Sequence, residues 1–186
     1  MDFIPPPMAS DSTFTPSHRP APTRAADDLL AYAIDRQDIK WCLAHLPSKS
    51  SPHLARIDSE LQMLKIIAVG WGLTHRLVDS PLKAPFQEAY WKAVQDFSVR
   101  FSETTALLIG QRIDYFQTIR DRLNLYLAAV RDLGPSGGDA GRIIGITLAR
   151  LCDCGEDLPV GMAAARIFNS ALARVGEYLT ATGSLP

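Results

Sequence analysis

Several kinds of protein are excluded by what this chain has too little of. It holds three cysteines in 186 residues. An odd number spread over a long chain argues against a disulfide framework and for a reducing compartment. No window approaches the roughly 20 consecutive apolar residues of a membrane span. Lys65, His75, Arg76, Gln111 and Arg112 interrupt the longest apolar runs, so no membrane association is expected. Positive charge is not in excess, the formal net charge being −1. Nucleic-acid binders draw most of their affinity from neutralising phosphates, so no nucleic-acid partner is expected. The first residues lack a basic segment leading into an apolar one, so no secretory signal is expected and the cytoplasm is the expected location. Alternation of period two and repeats of solenoid length are absent too, which removes strands and repeat arrays from the expectation.

Reaction motifs are missing as well. There is no His-Glu-x-x-His and no Glu-x-x-His pair. Glu103, Glu156 and Glu177 are each isolated from any histidine in sequence. The glycine-rich stretch from Gly134 to Arg142 lacks the Gly-Lys-Ser/Thr ending of a phosphate loop and follows a helix rather than a strand. A weak anion site at the next helix N-terminus, aided by Arg142, is the most it implies. Cys42 and His45 are spaced like half a zinc site, with Cys152 and Cys154 as the other half. Against this, Cys42 and His45 share a regular helix, and side chains two apart point away from each other. No metal, cofactor or enzymatic activity is expected.

Apolar side chains arranged at helical intervals are plentiful. They make up 47% of the chain, enough for one domain with a sizeable core. Leu54, Ile57, Leu61, Leu64, Ala68, Trp71, His75 and Val78 follow one another at steps of three and four. Such steps draw one stripe along an α-helix, a seam to be buried against other helices. The spacing predicts a helix over 53–78. Gly70 and Gly72 flank Trp71 inside it. Each costs about 1 kcal/mol against alanine, so a bend or a close approach by a backbone or ligand is expected there.

Residues 1–24 are expected to form a disordered Pro/Ser/Thr-rich tail, because six prolines block regular structure. Phe3, Ile4 and Phe14 would be its anchors as a docking peptide. In composition alone the tail is similar to bacterial export signals for specialised secretion. Residues 25–182 are expected to form a single helical domain. Its first helix runs from Ala25 to Leu46, stopped by Pro47, with a short loop at 48–52. Pro81 and Pro85 separate the second helix from a third segment, Phe86 to Leu133, whose one glycine is Gly110. Unbroken, that segment would span about 70 Å, against a radius of gyration near 16 Å for a domain of this size. It either breaks or projects and is covered by another subunit. Its early stripe (Phe86, Tyr90, Val94, Phe97, Phe101, Leu108) and its later one (Ile109, Ile113, Phe116, Ile119, Leu123, Leu127, Val130) face different ways. The turn between them falls near Ser102–Gly110. After a loop over 134–139, a hairpin of two helices is expected at 140–152 and 159–180. The last carries a seam of Ala165, Phe168, Leu172, Val175 and Leu179.

The fold expected is therefore all-α, an irregular bundle of five to six helices. Trp71, His75, Arg112 and Tyr115 are the candidate ligand-binding residues. His75 sits one turn after Trp71 on the seam and titrates near neutral pH when its surroundings allow. Arg112 would need a partner or a bound anion inside a bundle, and Trp71 and Tyr115 would supply apolar walls. A hydrogen-bonded structural role for His75 and a surface position for Arg112 are the competing readings. The function expected is a non-catalytic protein-interaction module of bacterial type (adaptor, regulator or assembly factor) that self-associates as a homodimer. The alternative is a small-molecule-binding or sensory bundle with a polar pocket between helices.

Overall fold

The computed structural model describes residues 20–47, 53–110, 113–132, 139–155 and 157–185. They form an all-α bundle: α1 (Pro22–Ile34), α2 (Gln37–Ala44), α3 (Leu54–Arg76), α4 (Lys83–Ile109), α5 (Tyr115–Arg131), α6 (Ala140–Leu151) and α7 (Leu158–Ala181). No strand occurs among the described residues, and no helix is long and apolar enough to cross a membrane. The expected tail falls outside the described residues as far as residue 19, as do the expected loops at 48–52 and 133–138.

The bundle is organised around α3. Every residue from Glu60 to Gly70 is buried, so the middle of this helix is enclosed on all sides rather than along one stripe. All six other helices pack against it. The expected seam is buried from Ile57 to Ala68; Trp71 is then half-buried, and His75 and Val78 are exposed. The stripe leaves the core because the buried side of the helix turns away from it at this end, where Gly72 and Leu73, and then Leu77 just past the helix, are buried instead.

Enclosing α3 buries Glu60, Gln62 and Lys65 with it, and each needs a partner. Arg122 of α5 donates to Glu60 through Nε and Nη2, both at 2.8 Å, in a forked pair. Gln62 Nε2 donates to the Ala33 carbonyl at 2.7 Å. Lys65 Nζ donates to the Asp35 carbonyl at 2.8 Å and to Asp38 Oδ1 at 2.9 Å, and lies 4.3 Å from the centre of the Tyr32 ring. Ala33 and Asp35 lie at the end of α1, where carbonyls have no partner within the helix. Polar groups of α3 and the open end of α1 therefore satisfy each other.

This arrangement requires a correction to the first helix. The expected Ala25–Leu46 helix starts earlier, at Pro22, and is broken into α1 and α2. Proline in the first turn gives up an N–H that has no acceptor there anyway. At Asp35 the backbone is extended (φ −61°, ψ 137°), and its side chain accepts from the Gln37 N–H at 3.0 Å. That local bond competes with helix continuation.

α4 begins at Lys83 rather than after Pro85, which is tolerated in the first turn for the same reason. The long 86–133 segment breaks. Gly110 closes α4 in the left-handed conformation (φ 72°), and Asp114 opens α5 by accepting from the Gln117 N–H at 2.9 Å. The close approach expected at Gly70 and Gly72 is made by side chains. A Cβ on Gly70 would lie 2.6 Å from Cζ2 of Trp91, and one on Gly72 would lie 3.1 Å from Cβ of Val175. The helix continues through both.

α6 and α7 form the expected hairpin. They cross so closely that a Cβ on Gly145 would lie 2.3 Å from the Gly161 carbonyl oxygen, whereas one on Gly161 meets nothing nearer than 3.5 Å. Gly145→Ala should therefore cost about 2 kcal/mol by forcing the helices apart. Gly161→Ala should be neutral or stabilising by up to about 1 kcal/mol through helix propensity. Urea unfolding of the two variants checks the asymmetry. In the same assay Arg122→Ala should cost about 3 kcal/mol, because it strands Glu60, whose side chain is only 5% exposed.

Candidate functional site

Trp71 and His75 come together as expected at the end of α3. Their rings stack at 6.2 Å and 7°, and Phe168 of α7 meets Trp71 edge-on at 5.7 Å. His75 itself is exposed.

Tyr115 is elsewhere. It is the first residue of α5, buried against Phe101 at 4.6 Å and Phe97 at 6.3 Å, and burial pushes its phenol up to about 12. It borders a cavity of about 540 Å³ whose walls include Ile34, Gln62, Met63, Phe97 and Phe101. The ion pair between Arg36 and Asp58 also lines it. Gln62 is nine-tenths buried there, and its Oε1 has no hydrogen-bond partner among the described residues. The part of α3 facing this cavity ends at Met63. Trp71 lies eight residues farther along, roughly 12 Å at the helical rise. The four expected pocket residues are thus divided: Trp71 with His75, Tyr115 in a separate cavity, and Arg112 outside the described residues.

The zinc-like spacing is also taken apart. Cys42 is buried on α2 near Arg166, while Cys152 is buried beyond α6 near Glu60. Burial pushes the Cys152 thiol up to about 12. His45 stacks on Trp41 at 4.0 Å, with its Nδ1 at 2.7 Å from the Trp41 carbonyl oxygen. Among the described residues no group of three or more His, Cys, Asp or Glu side chains could hold a metal ion.

What the bundle does present is apolar surface left uncovered in two places. One is the elbow between α4 and α5. No described side chain of α4 beyond Ser102 is buried, and Leu107 and Leu108 are 88% and 79% exposed. Val99, Phe101 and Ile113 add nearly half-exposed apolar surface. Leu108 continues the stripe of Phe97 and Phe101, so the face that buries α4 lower down runs on with no described residue burying it. The other surface is the outer face of the α6–α7 hairpin, a groove of about 550 Å³. Leu158 and Met162 stand there 70% and 62% exposed, beside Ile146.

Sequence reading placed Leu108 and Ile113 on seams but did not single out Leu158 and Met162. The signal available was the start of α7, Leu158 to Met162, which is apolar on more sides than one buried face needs. No family model, curated protein or solved structure matches the chain.

Proposed function

We propose that this protein is a non-catalytic helical interaction module, an adaptor, regulator or assembly factor of the cytoplasm, that works as a homodimer joined at its elbow. The observation that carries the reading is the bare end of α4, where Leu107 and Leu108 stand almost fully in solvent beside Val99, Phe101 and Ile113. Exposed large apolar side chains gathered at one end of a helix in this way mark an association surface. At roughly 200 Å² for a large apolar side chain, the exposed parts of these five, which lie on more than one side of the elbow, amount to roughly 600 Å². A stable interface takes about 800 Å² from each partner, polar rim included. A two-fold axis at the elbow would lay each Leu108 on the partner's Phe101, an isologous contact that closes on itself. Leu107→Asp with Leu108→Asp should halve the mass measured by light scattering and leave the far-ultraviolet circular dichroism unchanged, since both side chains are exposed. A wild-type chain that stays monomeric at its highest soluble concentration overturns the reading.

The cavity beside Tyr115 supports a second reading, a bundle that binds a small molecule. Its size falls within the range of ligand sites, and Phe97, Phe101 and Tyr115 give it an aromatic wall. A metabolite bound there at about 100 times its dissociation constant adds roughly 2.7 kcal/mol of stability. A thermal-shift panel should then find a compound whose effect is lost when Thr105→Trp fills the cavity. A panel without any shift removes this reading.

A further inference from the structure

The α6–α7 face shares no residue with the elbow and has a chemistry of its own. On α6, Arg142, Ile146 and Arg150 follow at steps of four and form one ridge along the groove. On α7, Leu158, Met162 and Ala165 form the facing ridge. Between them the floor is made of small residues, Ala149 and Gly161, at the place where the two helices cross most closely. Two parallel ridges with a shallow floor between them are the surface into which a third helix packs.

The charges around the groove say which kind of helix. Neither Arg142 nor Arg150 makes a side-chain hydrogen bond or ion pair with a described residue. Both are exposed, one at each end of the Ile146 ridge. Two carboxylates also border the groove, and both sit at helix starts, where the dipole already favours negative charge. Asp139 accepts from the Gly141 N–H at 3.0 Å as the cap of α6, and Asp157 stands at the N-cap of α7. The acidic groups are thus placed at helix starts, and the two guanidinium groups are left to an outside partner.

We infer that the α6–α7 groove docks an amphipathic helix of a partner protein that carries carboxylates about two turns apart. The spacing follows from the receptor. Arg142 and Arg150 are eight residues apart on one helix, or about 12 Å. A helix lying along the groove would meet both with acidic residues seven or eight positions apart, and its apolar stripe would cover Ile146, Leu158 and Met162. Arginine suits this task because its planar fork grips a carboxylate in two places.

The test uses the full chain and two fluorescein-labelled stapled helical peptides. Both carry one leucine stripe; one has glutamates eight apart at its flank, and its twin has lysines there. Fluorescence anisotropy should show the glutamate peptide binding at least about tenfold more tightly than the lysine twin, with a gap that narrows as salt screens the pairs. The double charge reversal Arg142→Glu with Arg150→Glu should invert the order, and Met162→Asp should abolish binding of both. All three positions are exposed, and circular dichroism confirms that each variant is folded. Equal binding of the two peptides, no binding of either, or an order unchanged by the charge reversal overturns the assignment. So does co-sedimentation with phosphatidylglycerol vesicles without any preference between peptides, which would give the face to a membrane. A halved mass in Met162→Asp would give it to a second copy. Peptide binding seen only after removal of residues 1–19 would give it to the chain's own N-terminal segment. Either result overturns the inference.

Discussion

A helix enclosed on all sides can keep ionic side chains only if its neighbours are arranged to pair them. That constraint governs the middle of α3. Glu60, Gln62 and Lys65 lie within an interval where every residue is buried. Glu60 fixes where α5 sits, because its carboxylate takes the forked guanidinium of Arg122. Gln62 and Lys65 fix where α1 ends, because their donors need the Ala33 and Asp35 carbonyls, which an unbroken helix would have used itself. The break between α1 and α2 and the polar groups of α3 are therefore one feature. Paired ions of this kind add little net stability over apolar substitutes, but losing one partner is costly, so they bind the arrangement to a single register.

Packing adds a second constraint from the other side of α3. Gly70 leaves room for the Trp91 ring, and Gly72 for Val175. Tyr90 donates from α4 to the Ile66 carbonyl at 2.8 Å. Gly145 and Gly161 bring α6 and α7 together at backbone distance. With these contacts the core closes around α3 and makes no use of two apolar regions, the far end of α4 and the outer face of the hairpin. Both are surfaces the fold could have covered and did not, and they differ in character. The described part of the elbow offers large exposed apolar side chains, which fits contact with an identical surface. The hairpin groove is bounded by two arginines that pair with no described residue, which fits a surface of opposite charge.

Much of this was legible in the chain itself. Helical spacing alone gives the fold class, the bounds of α6 and α7 to within two residues, and the need for the 86–133 segment to break or project. The segment takes the first course and breaks at Gly110, with the last side chains of α4 left largely exposed. Spacing could not separate a helix buried along one stripe from one buried all round, since that depends on how many neighbours surround it. Lys65 therefore read as an interruption, although it is among the most deeply buried side chains. The stripe runs on to His75, although the buried side of the helix has by then turned to Leu73 and Leu77.

The sequence by itself determined which segments become helices and most of their ends, the break at Asp35 apart, because periodicity, prolines and capping groups act within a few residues of each other. Only the tertiary structure decided which apolar faces are used and which polar groups meet. Glu60 finds Arg122 across 62 positions of chain, and Tyr115 is parted from Trp71 by about two turns of α3. Those outcomes depend on how seven helices share one interior, a matter of distances in space that no local pattern encodes.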